Sequence, residues 1–187
     1  MPQLFLTRHG ETEWNAIGRL QGHTDIELNE AGRAQARALA ATLAEAKLGR
    51  VWTSDLSRAR ETGSIVASEL SLPPPEVDPE LRERRFGVFE GLTRDECAAH
   101  HPEAWRAWVA QTSHPPGGEP RDEAVARLSR VLTRLATGDG PPTLIVSHGG
   151  VMRLWLMDLL GTTVPLIPNG ATWVIDHDGN AFRAARR

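Results

Sequence analysis

Two short apolar runs in this chain stop in the same way. Leu4-Phe5-Leu6 runs into Thr7-Arg8-His9-Gly10, and Leu144-Ile145-Val146 runs into Ser147-His148-Gly149. A few apolar residues that end abruptly in polar residues and a glycine are the pattern of a buried strand opening into a loop. Between the two lie helical patterns, with Ala36, Leu39, Ala40 and Leu43 on one stripe and Val125, Leu128, Leu132 and Leu135 on another. Strands alternating with helices predict an α/β fold, a mostly parallel sheet covered on both faces. Ligands of such sheets bind beyond the carboxyl ends of the strands, which is where both His-Gly pairs fall.

Further elements fill in the pattern. Arg50–Thr53 reads as a strand leading through Ser54-Asp55 into a helix near Ser57–Leu70, which Ser57 or Asp55 is placed to cap. Glu76–Asp78, after the break at Pro73-Pro74-Pro75, reads as another short strand. Val151, Leu154, Trp155 and Leu159 continue helically after His148, and Thr172–Ile175 with Ala181–Arg183 forms a terminal hairpin about Asp178-Gly179-Asn180.

The 187 residues are 40% hydrophobic and 24% charged, which predicts one compact domain over residues 1–187. A net charge of -3 offers no global basic field of the kind nucleic acid or an anionic membrane selects. No nucleic-acid or membrane partner is therefore expected, and any anion must be recognised locally. Cys97, the only cysteine, matches no metal or nucleophile spacing and reads as a plain thiol in a helix. No signal-peptide core precedes Arg8 and no apolar run nears the roughly 20 residues of a membrane helix, so the expected address is the cytoplasm. The oligomeric state, monomer or homodimer, is left open.

The chemistry begins at the strand ends. Arg8 and His9 set a guanidinium beside an imidazole, and Gly10 lets another group approach the backbone closely. His148 ends the other predicted strand, and neither histidine lies in an amphipathic helix interior. Arg58, at i and i+3 with Glu61, would ordinarily be half of a solvated ion pair worth a few tenths of a kcal/mol. In the company of Arg8 and two histidines it reads instead as a planar fork of donors for a phosphate. Two arginines and a histidine can stabilise a transferring phosphoryl group without a metal, and their charge disfavours protonation of an attacking imidazole. Metal ligation by the seven histidines is the rival reading; no His-Glu-x-x-His or Cys-x-x-Cys spacing supports it, so neither metal nor cofactor is expected.

Five segments now stand in order: Arg8-His9-Gly10-Glu11-Thr12-Glu13-Trp14-Asn15, Leu20-Gln21-Gly22 with Asp25 and Leu28, Ser54-Asp55-Leu56 with Arg58-Ala59, Leu81-Arg82-Glu83 with Gly87 and Glu90-Gly91, and Ser147-His148-Gly149-Gly150. Together, from about Leu4 to Trp173, they resemble the histidine phosphatase superfamily, the phosphoglycerate-mutase-like enzymes. The resemblance implies a three-layer α/β/α sandwich with a mostly parallel central sheet. It implies His9 as the residue phosphorylated, Glu83 as the proton donor, and Arg8, Arg58 and His148 as the phosphate pocket. Asn15, Gln21, Gly22 and Gly149 would join them in binding a small phosphorylated metabolite.

Departures from the family pattern bear on the choice of reaction. Arg84-Arg85-Phe86 follows Glu83 where an apolar residue and then a small polar or acidic one are usual, which sets positive charge beside the proposed acid unless both side chains turn away. Glu27 and Pro120 depart from common family residues outside the phosphate pocket. The chain is shorter than the cofactor-dependent mutases, and its Thr93–Asp122 region holds Trp105, Trp108 and the loop Pro115-Pro116-Gly117-Gly118-Glu119. The tryptophans, with Val109, read as a helical packing face. The expected activity is a metal-independent phosphatase of small organic phosphate monoesters with a phosphohistidine intermediate. The alternatives are a cofactor-dependent phosphoglycerate mutase, an α-ribazole-5'-phosphate phosphatase, and a non-catalytic module that binds a phosphorylated ligand. Were Glu83 not the acid, Glu11 and Glu119 would be next in line.

Overall fold

The computed structural model describes residues 1–187. In chain order the elements are β1 (Leu4–Arg8), α1 (Glu13–Ala16), α2 (Glu30–Leu43), β2 (Arg50–Thr53), α3 (Ser57–Glu69), β3 (Glu76–Val77), α4 (Arg94–His100), α5 (Pro102–Val109), α6 (Arg121–Thr137), β4 (Thr143–Ser147), α7 (Gly149–Leu160), β5 (Thr172–His177) and β6 (Phe182–Arg186). The strands form one sheet in the order β3-β2-β4-β1-β5-β6. Its first four strands run parallel, and the β5–β6 hairpin adds two antiparallel strands beside β1.

Alternation along the central strands explains the three layers. Leu4, Leu6 and Ile145 point to one face, where they pack with Leu128, Leu132, Met152 and Leu156 of α6 and α7. Phe5, Val51, Leu144 and Val146 point to the other, against Leu39 and Leu43 of α2 and Val66 of α3. The middle of such strands is apolar at successive positions because both faces are covered. Each fully buried leucine here contributes about 1.5–3 kcal/mol. Phe86, Phe89 and Cys97 form a third, small cluster with Trp105 and Trp108 above the sheet edge, and Cys97 lies buried in α4.

Register then brings the strand ends together. Arg8 stands opposite Ser147, and Thr53 opposite Val146. The first residues past β1 and β2 are still held to β4, His9 N–H by the Ser147 carbonyl and Ser54 N–H by that of Val146, each at 3.0 Å. The segments that follow these strands, bearing His9, His148 and, in the first turn of α3, Arg58, thus leave one edge of the sheet.

The start of α3 differs from expectation. Neither Ser57 nor Asp55 caps it; Asp25 accepts from the Ser57 N–H at 2.8 Å and from its hydroxyl at 2.7 Å. Asp55 turns instead to Arg82, at 2.5 and 2.7 Å. A carboxylate 32 residues earlier in the chain wins because the loop that bears it is folded against α3, a contact local spacing does not reveal.

The turn after β1 also depends on bare backbone. A Cβ on Gly32 would lie 2.1 Å from the Glu11 carbonyl oxygen, and one on Gly10 would lie 2.5 Å from the Gly32 carbonyl oxygen. In a helix Ala is favoured over Gly by about 1 kcal/mol, whereas forcing atoms into a filled site costs about 1–3 kcal/mol. The clash here is with backbone, so it dominates. Gly32→Ala is expected to lower the denaturation midpoint despite its better helix propensity; a midpoint at or above wild type would show that the β1–α2 contact relaxes freely.

Candidate active site

His9 is buried, and its Nδ1 lies 2.6 Å from the Gly10 carbonyl oxygen. A carbonyl only accepts, so Nδ1 carries the proton and Nε2 holds the free lone pair. The Gly10 N–H is itself bonded to the Thr62 hydroxyl at 3.0 Å, which donates to the Arg58 carbonyl at 2.7 Å. The turn that aims His9 is therefore fastened to the helix that carries Arg58. Burial, then the charges of Arg58 and Arg8, hold His9 well below its ordinary pKa, so the imidazole is neutral.

Arg58 is 1% exposed, and all three of its hydrogen bonds go to neutral groups. They are the Gly22 carbonyl at 2.8 Å, the Thr24 carbonyl at 3.0 Å and His148 Nδ1 at 3.2 Å. Glu61, the i+3 neighbour, pairs with Arg33 at 2.6 Å. Arg8 gives one N–H to the Ile167 carbonyl at 2.6 Å, while its Nε is buried with no partner. Neither guanidinium forms an ion pair with a carboxylate. Burial pushes Arg58 down to about 10, which leaves it charged at neutral pH. A buried cation and a half-buried one without a bonded counter-ion, beside an imidazole nitrogen with a free lone pair, suit an anion.

His148 stands one layer behind. It is fully buried, is absent from the cavity wall and lies 5.0 Å from His9, ring centre to ring centre. Because Arg58 donates to its Nδ1, the proton of His148 is on Nε2, which has no partner. Burial first, then Arg58, keeps this ring neutral as well.

Glu83 is held at the N-terminus of α7. Its carboxylate accepts from the N–H groups of Arg84 at 2.7 Å, Gly150 at 2.8 Å and Val151 at 2.7 Å. The two glycines after His148 make room for this packing. A Cβ on Gly149 would sit 3.0 Å from Arg8, and one on Gly150 would sit 2.6 Å from the Glu83 carboxylate. The His-Gly-Gly sequence thus lets an arginine and a glutamate lie across the first turn of a helix.

These groups form the floor of a cavity of about 700 Å³. Arg8, His9, Asn15, Gln21, Gly22, Arg58, Glu83 and Gly149 all line it. Thr12 and Asn15 cap α1 reciprocally, and Asn169 donates to Asn15 Oδ1 at 3.1 Å and to the His9 carbonyl at 3.0 Å. Asn169 was not apparent in the sequence, although the turn Pro168-Asn169-Gly170 ahead of β5 is the signal that marks it. Arg85 is exposed, whereas Arg84 is buried on the cavity wall with its Nε on the Glu119 carbonyl at 2.8 Å. Trp105 and Trp108 do both jobs at once, packing on Phe89 with ring centres 5.6 and 5.5 Å away and forming part of the cavity's outer wall. Glu11 bonds to Asn29 and Glu119 to Arg127, and neither lines the cavity, so the two fallback acids are otherwise engaged.

Comparison with known proteins shows the family. A family model for the histidine phosphatase superfamily, branch 1, matches residues 4–186. Glucosyl-3-phosphoglycerate phosphatase of Mycolicibacterium vanbaalenii is 34% identical over 205 residues, an alignment covering 98% of this chain and 91% of the relative. The metal-independent phosphoserine phosphatase of Arabidopsis thaliana is 38% identical over 156 residues, covering 81% of this chain and 66% of the plant protein. Among solved structures, mycobacterial glucosyl-3-phosphoglycerate phosphatase in complex with VO3 superposes with a TM-score of 0.83 at 31% identity, over 100% of this chain and 97% of the other.

Charge and burial at the site set how stability responds to solution conditions. Both histidines have depressed folded pKa values, so below the ordinary value of 6.5 the unfolded chain binds more protons than the folded one. Stability should hold above that pH and decline as pH falls beneath it; denaturation midpoints that stay flat or rise from pH 7 to 5 would contradict this. Inorganic phosphate should raise Tm, by about 2.7 kcal/mol of stabilisation at 100 times its Kd. Arg58→Met should lose that rise, which differential scanning fluorimetry reads directly.

Proposed function

The chain belongs to branch 1 of the histidine phosphatase superfamily and is a phosphoric monoester hydrolase, and from that premise we propose that it releases phosphate from small organic metabolites without a metal, through a phosphohistidine on His9. The observation that carries this reading is the meeting of a neutral imidazole with two guanidiniums, Arg58 buried and Arg8 half-buried, that have no carboxylate partner. The guanidiniums receive the phosphate oxygens, and their charge stands where another enzyme would use a metal.

The chemistry balances with groups already in place. His9 Nε2 attacks phosphorus, the P–O bond to the alcohol breaks, and protonated Glu83 gives its proton to the departing oxygen. Arg8 and Arg58 donate to the equatorial oxygens, with Asn15, Gln21, Gly22 and Gly149 shaping the same subsite, while His148 behind the cavity wall steadies Arg58 through its Nδ1. Water then attacks the phosphohistidine, Glu83 takes its proton, and phosphate leaves with His9 neutral again. The outer cavity, walled by Trp105, Trp108, Leu154 and Met157, takes the alcohol portion. The relatives named above act on phosphoserine and glucosyl-3-phosphoglycerate, and a metabolite monoester of comparable kind is proposed here. Residues 1–187 act together as one histidine phosphatase domain.

Turnover should persist in EDTA; loss restored by Mg²⁺ or Zn²⁺ would overturn metal independence. His9→Ala should lose at least about 10³-fold in kcat. Glu83→Gln should lose about 10²-fold or more in kcat/KM on an alkyl phosphate such as glycerol phosphate, and much less on p-nitrophenyl phosphate, whose phenolate departs with little help. Equal losses on both esters would remove Glu83 as the leaving-group acid. Mutase turnover of 3-phosphoglycerate with bisphosphoglycerate present should be negligible beside phosphatase turnover; the reverse would assign the chain to the mutases.

A further inference from the structure

Glu83 sits in an irregular stretch, residues 82–86, with no helix or strand to fix it. Something else must hold its backbone. Arg127, on the buried face of α6, reaches this stretch and its neighbours. Its Nε and one Nη2 hydrogen go to the two oxygens of Glu119, at 2.7 and 2.9 Å. The other three go to consecutive turns of the acid-bearing segment: the carbonyls of Glu80 at 2.7 Å, Arg82 at 2.6 Å and Glu83 at 2.9 Å. All five N–H groups of the guanidinium are thereby used.

We propose that Arg127, locked by Glu119, is a positioning residue for the reaction, acting by holding the peptide of Glu83 so that its carboxyl group meets the leaving oxygen. The proposal rests on the reading of Glu83 as the leaving-group acid. It also accounts for the loop Pro115-Pro116-Gly117-Gly118-Glu119-Pro120, which the phosphate chemistry leaves unexplained. Glu119 N–H donates to the Arg85 carbonyl at 2.9 Å, its carboxylate accepts the Arg85 N–H at 3.4 Å, and its carbonyl accepts Arg84 Nε. Gly87 and Gly118 let the two stretches touch, since a Cβ on Gly87 would fall 2.1 Å from the Pro116 carbonyl oxygen. The loop is a brace laid along the acid-bearing segment, with Arg127 as the pin between them.

The design suits the task. Arg127 and Glu119 are both buried, 9% and 8% exposed, so their bidentate pair is shielded from water. Burial alone would raise the Glu119 pKa, but hydrogen bonds and charge from Arg127, with the Arg85 amide, outweigh it and keep the carboxylate ionised. Lysine cannot replace this fork, because its three donors leave one point and do not span a carboxylate and three carbonyls in one plane. His23 Nε2 adds a second contact to the Glu83 carbonyl at 2.8 Å, so the peptide is gripped from two sides while its carboxylate is held by α7. A general acid displaced by even about 1 Å forfeits much of its effect.

Arg127→Lys tests the idea, with Glu119→Gln as a milder second variant that keeps the shape of the brace and loosens the pin should the first not fold. Both are assayed on glycerol phosphate and p-nitrophenyl phosphate, alone and combined with Glu83→Gln, with inorganic phosphate as a competitive inhibitor. The expected result is a loss of kcat on the alkyl ester at least tenfold greater than on the aryl ester. Phosphate inhibition should remain near wild type, because Arg8 and Arg58 are untouched. In the Glu83→Gln background neither variant should cost more on the alkyl ester than Glu83→Gln alone. Equal losses on both esters, or losses that add to that of Glu83→Gln, would overturn the positioning role. If Glu83→Gln by itself shows no leaving-group selectivity, the assignment of the acid fails, which is a separate outcome.

Discussion

Arg58 carries a full charge in a place where it is 1% exposed, and its bonds to Gly22, Thr24 and His148 satisfy its geometry without neutralising it. A buried cation left in that condition is costly unless an anion completes it. Much of the surrounding structure follows from holding it there. The loop after Gln21 must present two carbonyls to the guanidinium, which requires a left-handed turn at Gly22, with φ of 53° and no room for a side chain beside Glu90. Glu90 then accepts from His23 N–H, Thr24 N–H, the Thr24 hydroxyl and Phe86 N–H, tying that loop to the segment after Glu83. Asp25 closes the circle by capping the helix from which Arg58 projects.

The same charge orders the histidines. Arg58 donates to His148 and so dictates its tautomer, and with Arg8 it opposes protonation of His9. Glu83 lies on the opposite side of this arrangement, against the first turn of α7. His9 follows the end of β1, and Glu83 is held by the first turn of α7 after β4, so the two come together only because β1 and β4 are in register. A shift of one residue in that pairing would turn each strand's side chains to the wrong face and part the two groups.

The sequence makes the frame legible for a physical reason: strands buried on both faces must be apolar throughout, and their ends must change abruptly. Leu4–Leu6 and Leu144–Val146 show this, and Arg50–Thr53 appears as β2 with the bounds expected. Short helices were harder, since α1 has four residues and no buried one, so it carries no apolar stripe. Ser57 and Asp55 are the local candidates to cap α3, but Asp25 takes that place from 32 residues away. Arg127 is hidden in the sequence for a related cause: it occupies the inner face of α6 beside Leu128, and an arginine among leucines shows its purpose only when Glu119 and three carbonyls are brought to it. Arg84 and Arg85, adjacent in sequence, part company because Arg84 follows the Glu119 carbonyl inward while Arg85 turns to solvent.

In the proposed reaction the phosphoryl group passes through His9. Rapid quenching during turnover of a radiolabelled monoester, followed by peptide mapping, tests it most directly. The expected result is a label on His9 that survives alkali and is lost in acid, as a phosphoramidate is. An acid-stable label on a serine or threonine, or turnover at full rate with no label on His9, would contradict it.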